Sequence, residues 1–150
     1  MVNLGPWSEV EPAPQLTAVV LAAGRSTRMG DNKLSLKIAG VPMLERVLHA
    51  CEHLPTVLVV NPDNAAIASE RPDVLALVND DPDAGMTRSL KLADAAIDPA
   101  HRLAVLLGDK PLITRALLDR IAAQAGNYDI AFPVDAGVGG HPVILSPLAR

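Results

Sequence analysis

Residues 16–33, LTAVVLAAGRSTRMGDNK, pass from an apolar run that is β-branched in its middle to a polar loop punctuated by Gly24 and Gly30. Such a run is the mark of a strand buried on both faces, the kind found inside a parallel sheet. The pattern recurs along the chain. Residues 56–60, 74–78 and 103–107 read as further buried strands, and 130–134 and 142–145 as two shorter ones. Between them, 43–54, 64–69, 86–97 and 114–124 read as helices. The first of these puts Leu44, Val47, Leu48 and Cys51 on one face. Strands alternating with helices at this spacing predict a three-layer α/β domain, with helices on both faces of a mostly parallel sheet. Residues 1–15, acidic and proline-bearing, read as a flexible leader, and 16–150 as the domain.

Composition narrows the function classes. Of 150 residues 49% are apolar, yet only Trp7, Tyr128 and Phe132 are aromatic, so the core is built from Leu, Val, Ile and Ala. A net charge of −4 argues against a nucleic-acid partner, which needs clustered cationic surface. The single cysteine, Cys51, excludes an internal disulfide and fits a reducing cytoplasm. No apolar run reaches the ~20 residues of a membrane span, and the leader has no apolar stretch of signal-peptide type.

In open α/β sheets ligands sit beyond the carboxyl ends of the strands, which singles out two loops. In the loop after the first strand, Gly24 and Gly30 let backbone amides approach phosphate closely. Arg25, Arg28 and Lys33 add three cations within nine residues of an otherwise acidic chain. The spacing fits neither a Walker loop nor a G-x-G-x-x-G fingerprint, and a turn with solvated arginines is the plain alternative. In the loop after the strand at 103–107, Asp109 stands where one carboxylate suffices to hold Mg²⁺ on a phosphate ligand; capping the helix or turn after it is the alternative role.

The segment LAAGRSTRMGDNKLSLKIAGVPML, residues 21–44, closely resembles the opening motif of the MobA-like NTP transferases. Three later segments match in order: Asn79 with Gly85-Met86 and Ser89-Leu90, Leu106 to Pro111, and Gly140-His141-Pro142-Val143. The resemblance implies a Rossmann-like nucleotidyltransferase domain that transfers CMP, with GMP the alternative, to a phosphorylated acceptor such as molybdopterin, with release of pyrophosphate. It also implies that Leu21, Ala22, Ala23, Gly24 and Arg25 line the nucleotide and that Arg28 and Lys33 meet the phosphates. Asn79, Gly85 and Ser89 would lie at the base, Asp109 would hold Mg²⁺, and His141 would lie on the acceptor side. Ala23 stands where guanylyl relatives carry Gly, and its methyl narrows the base pocket toward CTP. Lys110 departs from the family's neutral residue. Relatives continue past the Gly-His-Pro segment to a second metal-binding carboxylate, so the domain reads as shortened at its C-terminal end, with Asp135 a poor substitute. A catalytically silent nucleotide-binding or regulatory domain is the competing expectation.

Three constellations invite other readings. Ser26, Asp109 and His141 follow the order of a hydrolase triad, but the second glycine of a nucleophile elbow is missing. His49, Cys51 and His53 suggest zinc without an evident further ligand. Asp80, Asp81 and Asp83 read as a solvated acidic loop.

Overall fold

The structure, a computed structural model, describes residues 15–24 and 33–150. Residues 1–14 of the expected leader, and Arg25, Ser26, Arg28 and Gly30 of the phosphate loop, lie outside it. In chain order the strands are β1 (Leu16–Ala22), β2 (Lys37–Ile38), β3 (Val41–Pro42), β4 (Thr56–Val60), β5 (Leu75–Val78), β6 (Arg102–Leu107), β7 (Ile130–Ala131), β8 (Val134–Asp135), β9 (Val138–Gly139) and β10 (Val143–Leu145). The helices are α1 (Met43–Cys51), α2 (Ala65–Ser69), α3 (Met86–Ala95) and α4 (Arg115–Ala125), with 3₁₀ turns at Lys33–Ser35, Pro62–Asn64 and Pro82–Ala84.

Six strands form one sheet in the order β5-β4-β1-β6-β10-β7. The ladders joining β5, β4, β1 and β6 are parallel, while β10 runs antiparallel to both β6 and β7. The mostly parallel sheet expected from the apolar runs is therefore present. Its centre, β1, is covered on both sides. Ala18, Val20 and Ala22 pack with Leu44 and Leu48 of α1 and Leu118 and Ile121 of α4, whereas Val19, Leu21 and Ala23 pack with Ala93 of α3 and Ile97 beyond it. Leu44, Leu48, Leu58, Leu103, Leu106 and Leu118 are all at most 1% exposed. Each contributes about 1.5–3 kcal/mol by leaving water, so branched aliphatics supply a core with almost no aromatic rings. Among the described residues no helix is long and apolar enough to cross a membrane.

The departures from expectation have local causes. Helix α1 stops at Cys51, not residue 54, because Pro55 disfavours helical backbone at Leu54. Helix α3 stops at Ala95, and its last turn tightens through Ala96 N–H to Ala93 and Ile97 N–H to Asp94. The strand expected at 130–134 is broken at Pro133, which cannot donate to a ladder; Val134 and Asp135 join β9 in a separate hairpin instead. That hairpin and the β2–β3 hairpin turn on Ala136-Gly137 and Ala39-Gly40, with both residues of each pair at positive φ. Two-residue turns of this kind usually advertise themselves as Asn-Gly or Asp-Gly, so the Ala-Gly pairs give no such signal.

Candidate nucleotide site

From β1 the chain moves outward through β4 to β5, then crosses back to form β6 on the other flank of β1. The connections leaving β1 and β6 thus diverge, and a crevice opens at their carboxyl ends, where open α/β sheets take ligands. A cavity of about 360 Å³ lies there.

One wall is the carboxyl end of β1. Leu21, Ala22, Ala23 and Gly24 all line the cavity. Gly24 is held from below by Asn61 at the end of β4, whose amide donates to the Gly24 carbonyl at 3.3 Å while its oxygen accepts from the Asn64 N–H at 3.0 Å. Asn61 is 3% exposed, and no motif singled it out. Ala23 is 5% exposed and packs into the α3-side core, so its methyl is a fixed part of the wall.

Lys33 brings a cation to the cavity from its 3₁₀ turn, with the buried Leu34 beside it. Leu34, Pro82, Met86 and Leu107 also line the cavity; none of them was singled out as a ligand contact, because apolar walls carry no sequence signature apart from the core. Opposite in charge to Lys33 is Asp109, in the turn that closes through Lys110 N–H to the Leu107 carbonyl. The capping alternative for Asp109 fails: the N-cap of α4 is Thr114, whose hydroxyl accepts from Leu117 N–H at 3.2 Å. The Asp109 carboxylate is exposed and makes no ion pair among the described residues. The loop is nonetheless anchored. Gly108 N–H donates to the Leu21 carbonyl at 2.9 Å, and a Cβ on Gly108 would meet that of Ala22 at 3.0 Å.

The remaining wall is the start of α3. Gly85 sits just before the helix at φ 84°, ψ 177°, a conformation open to glycine almost alone. Gly85 and Ser89 line the cavity; Asn79 does not, being fully buried behind Ser89 with its amide 2.9 Å from the hydroxyl. His141 also stands outside the lining residues. Its half-buried imidazole is pushed below the ordinary value by burial and by the Lys110 cation, against a pull upward from Asp109. Asp135 lies exposed in the β8–β9 hairpin and does not line the cavity.

Among the described residues the cavity lining offers a metal one carboxylate, Asp109, and no group of three or more His, Cys, Asp or Glu gathers. That suits a hard divalent ion that keeps most of its water and takes phosphate oxygens better than one needing a protein cage. The zinc constellation does not assemble. His49 pairs with Glu52 at 2.9 Å, His53 with Asp119 at 2.8 Å, and Cys51 is buried with its thiol pushed up by desolvation. In the acidic loop, Asp80 pairs with Arg88 and is held below the ordinary carboxylate range by it.

A cavity at the switch point of a mostly parallel sheet, walled by glycine-bearing backbone and carrying a lysine and an aspartate, is the arrangement of a doubly wound α/β domain with a ligand crevice. The chain belongs to the MobA-like NTP transferase family, whose domain profile matches residues 18–150. It is 32% identical over 123 residues to a probable molybdenum cofactor guanylyltransferase of Natronomonas pharaonis, a match spanning 78% of this chain and 60% of that one. It is 33% identical over 116 residues to the molybdenum cofactor guanylyltransferase of Xanthomonas euvesicatoria pv. vesicatoria, spanning 77% of this chain and 58% of that one. Among solved structures, Rv0371c from Mycobacterium tuberculosis superposes with TM-score 0.80 at 29% identity, over 93% of this chain and 77% of that one. A second structure of Rv0371c is a complex with manganese, with TM-score 0.75 at 28% identity, over 91% of this chain and 76% of that one. The chain thus spans about three-fifths of the length of these two curated relatives.

Proposed function

We propose that this domain transfers a nucleotidyl group from a nucleoside triphosphate to a phosphorylated small-molecule acceptor of the molybdopterin type. The observation that carries the reading is a lysine and a carboxylate, Lys33 and Asp109, on the walls of one cavity at the switch point. An acceptor phosphate oxygen attacks the α-phosphorus, the bond from that phosphorus to the bridging oxygen breaks, and pyrophosphate leaves. No side-chain nucleophile is required, because positioning and charge stabilisation do most of the work in phosphoryl chemistry. Lys33 neutralises charge that builds on the phosphates, with Arg25 and Arg28 given the same task by the motif. Asp109 holds a divalent ion, Mg²⁺ in this reading, and His141 stands on the acceptor side. Such an ion supplies electrostatic neutralisation of the triphosphate.

For the base we propose cytosine, on the ground that the Ala23 methyl is a fixed part of the cavity wall. One methyl discriminates by roughly 1–3 kcal/mol, so CTP is expected to exceed GTP by about tenfold to two-hundredfold. The names of the two guanylyltransferase relatives favour GTP, which is the second reading.

The test is pyrophosphate release with CTP and GTP in the presence of molybdopterin and Mg²⁺, for the parent and for Lys33→Ala. Turnover that falls about 10²–10³-fold in the variant supports the assignment. Nucleotide binding without turnover would make the domain a silent binding module, and GTP preference in the parent would replace cytosine with guanine.

A further inference from the structure

The motif put Asn79 at the base, yet its side chain is 0% exposed and one residue removed from the cavity. Its hydrogen bonds fix which way the amide faces. The Asn79 Oδ1 accepts from the Asp81 N–H at 3.0 Å and from the Arg88 Nε–H at 3.1 Å. Neither a backbone amide nor a guanidinium can accept, so the oxygen end of the amide belongs there. The NH₂ end therefore faces the Ser89 Oγ at 2.9 Å, and an NH₂ can only donate. Ser89 is thereby forced to accept from Asn79, and its own proton must point elsewhere. Helical serines commonly return that proton to the carbonyl four residues back, here Gly85, but no such bond forms among the described residues. Ser89 is 3% exposed and lines the cavity, so that proton can meet an acceptor within it.

We propose that Asn79 is a positioning residue that fixes the Ser89 hydroxyl as a hydrogen-bond donor, so that the site selects nucleobases by an acceptor atom on the edge they present. The acceptor is a carbonyl oxygen or an unprotonated ring nitrogen. The inference rests on the nucleotide reading of this cavity. Arg88, held at the surface by Asp80 at 2.7 Å, is the far end of the relay that keeps the amide from turning over.

Asn79→Asp reverses the polarity. A carboxylate oxygen takes the Ser89 proton, and the hydroxyl then offers lone pairs to the cavity. Binding of CTP, GTP, UTP, ATP and inorganic tripolyphosphate is measured by titration calorimetry for the parent, Asn79→Asp, Ser89→Ala and the double variant. The expected result is a loss of roughly tenfold for the nucleotide the parent prefers, since a buried polar partner is lost or mismatched. The order of the four nucleotides changes, while tripolyphosphate affinity stays within about twofold. Adding Asn79→Asp to Ser89→Ala costs nothing further, because the effect runs through Ser89. An equal loss for all four nucleotides and tripolyphosphate, or an unchanged order, overturns the proposal. If Asn79→Asp does not fold, Arg88→Met at the more exposed end of the relay gives the same reading. It should weaken the preferred nucleotide selectively, and an unchanged order again overturns the proposal. Failure of every nucleotide to bind the parent removes the nucleotide reading and this inference together; nucleotides that bind without responding to Asn79 remove this inference alone.

Discussion

Gly85 and Gly108 flank the same cavity, and a side chain at each meets a different obstacle. At Gly85 there is open space, with nothing within 4 Å of an added Cβ, but the backbone at φ 84° and ψ 177° is closed to other residues. At Gly108 the backbone is ordinary and the space is full, with Ala22 Cβ at 3.0 Å and the ends of Leu34 and Leu44 at 3.3 Å. Both Gly→Ala changes are expected to cost about 1–3 kcal/mol in chemical denaturation, the first through strain and the second through overpacking. Pairing each with Ala22→Gly separates the causes: it recovers part of the loss at Gly108 and none at Gly85, and equal recovery at both would contradict the assignment. At this scale the sequence was a good guide to residues whose chemistry is conspicuous. Lys33 and Asp109, picked out by charge and by position after a buried strand, do line one cavity. It was a poor guide to residues that work from behind. Asn79 and Asn61 are polar groups spent on other protein groups, and only the folded geometry distinguishes that from ligand contact.

Helix α3 presents Ser89 near its start and is clamped at its end. The Arg150 guanidinium, 5% exposed, pairs with the Asp94 carboxylate at 2.6 Å and donates to the carbonyls of Asp94, Ile97, Asp98 and His101. Those carbonyls are at or just beyond the negative end of the helix, where a cation is doubly favoured. Arg150→Ala is expected to destabilise by about 1.5–3 kcal/mol, and Arg150→Lys to recover less than half, since an ammonium cannot replace a five-donor fork. Thermal and chemical denaturation of the two variants checks this; full recovery by Lys would reduce the clamp to simple charge. The clamp had no signature in the sequence, because Arg150 and Asp94 are far apart in the chain. Elements fared better than their ends. Buried strands announce themselves by unbroken apolar runs, and β1 and β4 fall where those runs lie. Proline trimmed α1 and split the strand expected at 130–134, and both two-residue hairpins escaped notice for want of Asn or Asp in their turns.

Across the molecule, strand order was the part least readable from sequence, since periodicity yields elements but not which of them become neighbours. Long-range ion pairs add to it. Arg71 joins Glu45 of α1 at 2.6 Å to Asp73 before β5 at 2.7 Å. Its guanidinium holds the Asp73 carboxyl at about 2, below the ordinary 3.8. A carboxyl lowered on folding stabilises fully above its unfolded value and loses that contribution as pH falls toward its folded one. Stability should therefore decline between about pH 4 and pH 2 through this group. Asp73→Asn should be less stable than the parent at neutral pH and converge with it near pH 2, a difference kept small by solvent. Urea midpoints across that range test the sign, and a gap that widens in acid would refute it. A final consequence follows from two hydrogen bonds that extend the ladders past the strands themselves, Gly108 N–H to Leu21 at 2.9 Å and Asn79 N–H to Val60 at 2.8 Å. They fasten the loops on either side of the cavity to the most deeply packed strands. In deuterium exchange without ligand, these two loop amides should behave as core amides, opening only when the whole domain unfolds. Two loops held this way give up little disorder when a ligand arrives, so little of the binding energy is spent on ordering them.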